Sequence, residues 1–145
     1  MGDASKTRPT VVLADDHPRT LAATCQLMLQ AYDVLAAVGD GQAAVEAVAR
    51  LNPDVVVLDV AMPGTDGFEA ARRIRELAIP IGIIFLTITE DWDYALTASK
   101  LGASYVLKRR IYTDLLPAVN DTLAGRLFLS PLASASPRNY DVLRP

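Results

Sequence analysis

One run limits the fold of this chain more than any other: Val55-Val56-Val57-Leu58-Asp59-Val60-Ala61-Met62-Pro63-Gly64. Apolar, β-branched residues in unbroken succession predict a strand covered on both faces, as in a parallel sheet. The run ends in a carboxylate, Asp59, then turns through Pro-Gly to a helix start at Thr65-Asp66-Gly67. In open parallel sheets, ligands gather at the carboxyl ends of the strands. Asp59 is therefore expected at the mouth of a site.

The rest of the chain repeats the unit. Thr10-Val11-Val12-Leu13-Ala14 reads as a first strand, followed by the polar loop Asp15-Asp16-His17-Pro18. Pro18 suits the first turn of a helix. Leu21, Cys25, Met28 and Leu29 carry that helix to about residue 30. A second strand over 33–38 closes at Gly39-Asp40-Gly41, and Ala43, Val45, Ala47, Val48 and Leu51 mark a second helix. After the Asp59 strand, a third helix over about 67–78 carries a stripe of Phe68, Ala71, Ile74, Arg75 and Ala78, with only Arg75 polar. A fourth strand covers 82–87. Thr89-Glu90-Asp91 opens a fourth helix to about Leu101, which Gly102 ends. A fifth strand, 104–107, ends in Lys108. A fifth helix over about 112–123 is expected to bury Leu115, Leu116, Val119 and Leu123.

Five strand–helix units imply a parallel sheet with helices on both faces and right-handed crossovers. Short units without a glycine-rich first loop favour the flavodoxin-like, doubly wound order. The domain is expected over 9–127, after a flexible lead of 1–8 and before a linker of 128–145. A chain of 145 residues, 51% hydrophobic, can bury a real core in one domain. Its net charge of −3 gives no overall basic footprint for nucleic acid. The single cysteine, Cys25, is read as a small apolar residue, and a cytoplasmic setting follows as the simpler expectation. No apolar run approaches the roughly 20 residues of a membrane helix.

At the carboxyl ends of the strands stand Asp15 and Asp16, Asp59, Thr87 and Lys108. Crowded carboxylates repel and resist full ionisation. A hard cation relieves the crowding, and oxygen-only donors suit Mg²⁺. Lys108 adds a flexible positive charge, and Thr87 a hydroxyl donor for an oxyanion. The set describes a pocket for a phosphoryl group beside a carboxylate nucleophile.

In order and at these spacings, Asp15-Asp16, Asp59-Val-Ala-Met-Pro-Gly-Thr-Asp-Gly67, Thr87 and Tyr105-Val-Leu-Lys108 resemble the response-regulator receiver domains of two-component signalling. The resemblance implies that Asp59 is the acceptor of a phosphoryl group from a sensor histidine kinase. It implies Mg²⁺ on Asp15, Asp16, Asp59 and the main-chain carbonyl of Ala61, with Lys108 pairing with the phosphoryl group. Thr87 and Tyr105 become coupled switch residues: on phosphorylation the hydroxyl moves toward phosphate and the aromatic ring turns inward, which repacks the face of the fourth helix, fifth strand and fifth helix. Such a module catalyses only its own phosphorylation and dephosphorylation, and dimerisation can accompany the switch. His17 after the acid pair, and Gly125-Arg-Leu-Phe-Leu-Ser-Pro131, resemble the LuxR-type subclass, which normally carries a helix-turn-helix DNA-binding output domain. Ser136-Pro-Arg-Asn-Tyr-Asp-Val-Leu-Arg144 resembles the opening of such a domain. The expectation is a receiver separated from its output domain, by excision or by natural loss.

Some positions depart from the family pattern. Ile88 follows Thr87 where a small residue is usual, and is expected to narrow the path to Asp59. Arg109 stands after Lys108 where proline is common, so a trans bond is expected there. Other functions compete. A haloacid-dehalogenase-like phosphatase needs a second Asp two residues after its nucleophile, where this chain has Ala61. A nucleotide cradle needs glycines that the first loop, Ala14-Asp15-Asp16-His17-Pro18, lacks. The remaining alternative is a degenerate, phosphorylation-independent receiver that serves as an interaction module. His17 is read as a helix-start residue rather than a metal ligand. Trp92 is expected to be exposed, and Lys108-Arg109-Arg110 to meet phosphate or a kinase.

Overall fold

The computed structural model describes residues 8–133. Five strands, β1 (Thr10–Ala14), β2 (Asp33–Val38), β3 (Val55–Asp59), β4 (Gly82–Thr87) and β5 (Ser104–Leu107), alternate with five helices. These are α1 (Pro18–Met28), α2 (Gly41–Leu51), α3 (Gly67–Glu76), α4 (Trp92–Lys100) and α5 (Ile111–Leu123). The sheet is parallel throughout, in the order β2-β1-β3-β4-β5. This is the flavodoxin-like order expected from the sequence. β3 is buried along its whole length, as its apolar run predicts.

The strand period of two sorts the core into two layers. Val56 and Leu58 of β3, with Ile83 and Phe85 of β4, pack beneath α2, α3 and α4. Val55 and Val57, with Ile84 and Leu86, pack beneath α1 and α5. Helix starts are fixed by carboxylates accepting first-turn amides: Asp40 from Ala43 at 2.8 Å, Asp66 from Glu69 at 2.9 Å and Asp91 from Asp93 at 2.8 Å. Asn52, at φ 52°, ends α2 in the left-handed region that Asn tolerates.

Several side-chain expectations are corrected. In α1, Leu27 and Met28 are buried while Leu29 is 51% exposed and Cys25 only half-buried. In α5, Leu115 and Val119 are buried, but Leu116 is half-buried and Leu123 lies at the surface. Real helices end and curve where the pattern alone predicts a continuous stripe. Ala78 leaves the stripe of α3 altogether, exposed at φ 56° beyond the helix end. Trp92 is half-buried and packs against the core layer beneath α4. Arg75, the one polar residue of the α3 stripe, is half-buried. Its guanidinium donates to the carbonyls of Ile81 at 2.8 Å, Leu101 at 2.9 Å and Gly102 at 3.1 Å. It therefore ties the end of α3 to β4 and to the end of α4.

Both flanks of the sheet are held. Arg8, the last residue of the predicted lead, donates to the carbonyls of Leu29 and Tyr32. Beyond α5 the chain turns back along β5. The Tyr105 amide donates to the Phe128 carbonyl at 2.9 Å, and the Ser130 amide to the Tyr105 carbonyl at 2.9 Å. Residues 128–130 thus cover the edge of β5, which would otherwise present unpaired backbone groups. Ser130 is fully buried. Its hydroxyl accepts from the Leu107 amide at 3.1 Å and donates to Asp114 at 2.7 Å. Asp114 also takes Arg110 at 2.8 Å and Thr113 at 3.1 Å. The stretch 136–144, read above as the opening of an output domain, lies outside the described residues.

Burial alone would raise the Asp114 carboxyl; hydrogen bonds from Arg110, Ser130 and Thr113 outweigh it and hold the group below the usual carboxylate value. Asp114→Ala strands the Ser130 hydroxyl and the Arg110 guanidinium. It is expected to lower stability by about 1–3 kcal/mol in urea unfolding. The sign with pH follows from the lowered value. The stabilisation is complete above the ordinary carboxylate range, near pH 4, and is lost as the pH falls through the lower folded value. Wild type should therefore lose more stability than Asp114→Ala between neutral pH and pH 2–3, roughly the span of such a titration.

Candidate functional site

Strand register assembles the site. Ala14 pairs with Leu58, so Asp15 and Asp59 emerge side by side from β1 and β3. Asp59 pairs with Leu86, which brings Thr87 one step further on β4. Thr87 pairs with Leu107, so Lys108 follows at the end of β5. The four residues that the sequence singled out at separate strand ends are thus delivered to one edge of the sheet.

Lys108 occupies the middle. Its ammonium lies 2.9 Å from Asp15 Oδ2 and 3.1 Å from Asp59 Oδ2. Asp15 and Asp59 are buried, and the Lys108 side chain is 12% exposed. Burial pushes the Asp59 carboxyl above its ordinary value; the Lys108 hydrogen bond and charge oppose this, and neighbouring Asp15 adds to the rise. Burial pushes Lys108 down, but its bonds to Asp15 and Asp59 outweigh that and hold its value raised. The second Asp59 oxygen accepts the Ala61 amide at 3.2 Å.

The acids have capacity to spare. Asp15 Oδ2, although in ionic contact with Lys108, and Asp16 Oδ1 are buried without a well-aligned hydrogen-bond donor. Donor atoms of Asp15, Asp16, His17 and Asp59 lie within 4.8 Å of one another. Oxygen atoms with unused lone pairs, clustered at this spacing, fit a hard divalent cation. His17 was assigned from the sequence to the helix start, and it is the N-cap of α1. The fold also brings its Nδ1 to 3.1 Å from Asp16. Its position next to the acid pair was the available signal for that proximity.

Thr87 and Tyr105 are joined through one residue. The Thr89 amide donates to Thr87 Oγ1 at 3.1 Å, and Tyr105 Oη donates to the Thr89 carbonyl at 2.5 Å. Thr87 and Tyr105 are both buried, so the ring that the resemblance turns inward on phosphorylation is already inward in this structure. Burial of the ring raises the Tyr105 phenol above its ordinary value. Ile88, between the two threonines, is 78% exposed. The basic run divides: Lys108 enters the site, Arg109 pairs with Glu90 at 2.7 Å, and Arg110 pairs with Asp114. Glu90 was read only as part of a helix start, and Gly67 as part of the motif after β3 without a reason for its lack of a side chain. For Gly67 the signal is spatial. A Cβ there would lie 2.2 Å from the Asp59 carbonyl oxygen, so only glycine lets α3 start this close to the acceptor strand.

A doubly wound parallel domain with a buried acid cluster and a lysine at its carboxyl edge defines a narrow class. The family model for the response regulator receiver domain matches residues 11–120, and the chain belongs to that family. It is 34% identical over 136 residues to the nitrate/nitrite response regulator protein NarL of Escherichia coli strain K12, covering 89% of this chain and 63% of that protein. The chain therefore spans less than two thirds of that relative's length. Among solved structures it resembles a LuxR-family two-component response regulator from Aurantimonas sp. SI85-9A1, with TM-score 0.81, 34% identity and 86% and 91% of the two chains covered. It also resembles the signal receiver domain of the NarL response regulator from Mycobacterium tuberculosis, with TM-score 0.78, 27% identity and 83% and 99% covered. These three relatives are NarL- or LuxR-type regulators, as His17 after the acid pair and the stretch from Gly125 to Pro131 led one to expect.

Gly67→Ala forces the first turn of α3 away from the Asp59 carbonyl. It is expected to cost about 1–3 kcal/mol in thermal or urea unfolding and to shift the Asp59 amide resonance. An unshifted Asp59 amide with full stability would contradict the close approach.

Proposed function

We propose that this domain accepts a phosphoryl group on Asp59 from a sensor histidine kinase and relays its presence to the face of α4, β5 and α5. The observation that carries the reading is Asp59 itself: buried at the end of the central strand, with the Lys108 ammonium 3.1 Å from one carboxylate oxygen. The chemistry balances without a further co-reactant. A carboxylate oxygen of Asp59 forms the new P–O bond as the donor's P–N bond breaks, and the released imidazole takes up a proton. Asp15, Asp16, Asp59 and the Ala61 carbonyl would hold Mg²⁺, which supplies charge neutralisation for the phosphoryl oxygens.

The chain's own residues do the rest. Lys108 already faces Asp59 and offers its cation to a phosphoryl oxygen attached there. Thr87 gives its hydroxyl to another. In turning toward it the hydroxyl gives up the Thr89 amide, on the loop whose carbonyl holds the inward Tyr105 ring. Phosphorylation is thereby coupled to the packing of Tyr105. As in the two-component relatives, the output is read as transcriptional, through a DNA-binding domain outside this chain, with homodimerisation on phosphorylation. The setting that fits a histidine-kinase partner is the cytoplasm.

Incubation with acetyl phosphate and Mg²⁺ is expected to add one phosphoryl group by intact mass. Asp59→Asn should show none, because an amide is not a competent nucleophile, and EDTA added beforehand should prevent the adduct. An undiminished adduct on Asp59→Asn would refute the assignment. No adduct on either protein would favour the degenerate, binding-only receiver. Lys108→Ala is expected to fold and yet fail to move the Tyr105 ring resonances on phosphorylation; a wild-type ring shift in that variant would remove Lys108 from the relay.

A further inference from the structure

We propose that the segment 128–133 is a strap with one permanent end and one releasable end, and that Glu90 is its latch. The permanent end is built into β5. Phe128 and Ser130 exchange backbone hydrogen bonds with Tyr105, each at 2.9 Å. The buried Ser130 hydroxyl joins the Leu107 amide to Asp114, and Phe128 packs into the layer beneath α1 and α5. Opening this end would strand a buried carboxylate and a buried hydroxyl.

The far end is held differently. The Ala133 amide donates to Glu90 Oε1 at 3.1 Å. The same carboxylate takes Arg109 Nε at 2.7 Å and Nη2 at 3.0 Å. Ala133, Glu90 and Arg109 all lie at the surface, where such contacts contribute little and open easily. Leu132 adds a half-buried contact to the layer beneath α4.

The latch is placed where the site can move it. Glu90 follows Thr89, whose amide is bonded to Thr87 and whose carbonyl is bonded to Tyr105. An unbroken series of hydrogen bonds and covalent links therefore runs from Thr87, through Thr89 and Glu90, to Ala133. The inference rests on the functional reading above, in which Thr87 turns toward a phosphoryl group on Asp59. That turn removes the acceptor of the Thr89 amide and lets the loop carry Glu90 off Ala133. The strap then swings at its far end while Ser130 stays seated. The direction in which the polypeptide continues beyond Ala133 becomes a function of the state of Asp59.

The test is amide exchange by ¹⁵N NMR on the full chain with Mg²⁺, with and without beryllofluoride as the phosphoryl mimic. With beryllofluoride the Ala133 amide should exchange about fivefold faster, the scale set by one lost hydrogen bond, while the Ser130 and Leu107 amides keep their protection. Glu90→Ala should produce the same acceleration at Ala133 without beryllofluoride. If the Thr89 amide and Tyr105 ring respond to beryllofluoride and Ala133 does not, the functional reading stands and the strap is overturned. Loss of protection at Ser130 together with Ala133 would overturn the two-ended device. An unchanged Ala133 in Glu90→Ala would remove the latch. No response at Asp59, Thr87 or Tyr105 would sink the functional reading, and the switching proposal with it.

Discussion

The Lys108 ammonium lies 2.9 Å from Asp15 and 3.1 Å from Asp59, and the rest of the site is arranged around that contact. Two buried carboxylates side by side would repel, and burial alone would drive one of them to its neutral form. The lysine lets both stay close to the sheet edge. The arrangement is costly to assemble, because three charged groups leave water, and ion pairs of this kind seldom add net stability. The large apolar layers on both faces of β3 supply the stability that the site itself does not.

That division of labour explains where the strands end. Four of the five strands are mainly apolar and change character at their last residue or the next: Ala14 to Asp15, Leu58 to Asp59, Leu86 to Thr87, Leu107 to Lys108. The apolar part fixes position against the helices, and the polar part is held by a rigid support. In the proposed function this rigidity matters, since phosphoryl transfer depends on positioning and charge neutralisation more than on covalent chemistry. The loop after β4 is the exception. Ile88 is exposed, and Thr89 is held by Thr87 and Tyr105 rather than by a strand. A segment held by two side chains is the one that a change at the site can move.

Most of the fold was legible in the sequence, for a simple reason. β-Branched runs such as Val55-Val56-Val57 and Ile83-Ile84 accept few other conformations, and turn residues separate them cleanly. All five strands lie where the pattern places them. Errors fell on side chains at helix ends, at Leu29 and Leu123, and on the flank of α5 at Leu116, where one residue of drift turns a stripe toward solvent. The work of Arg75 was not legible, because a guanidinium that caps three carbonyls looks, in sequence, like any charged residue on a helix. Asp15, Asp16, Asp59, Thr87 and Lys108 were legible because chemistry-bearing residues at strand ends need only topology to bring them together. The Ser130–Asp114 and Ala133–Glu90 bonds were not, because these partners lie 16 and 43 positions apart with no periodic signal linking them.

By itself, then, the sequence determined the alternation of strands and helices, the buried central strand and the identity of the groups at its carboxyl edge. These follow from local backbone preference and from the period of apolar residues, which are properties of neighbours along the chain. Only the tertiary structure decided that Lys108 stands between Asp15 and Asp59 and that Gly67 must lack a side chain. It alone decided that Tyr105 is tethered to Thr89, and that the chain beyond α5 returns to close the edge of β5. Those outcomes depend on strand register, on helix approach to within a single Cβ, and on hydrogen bonds between distant segments. They become fixed only once the apolar layers have packed and set the distances.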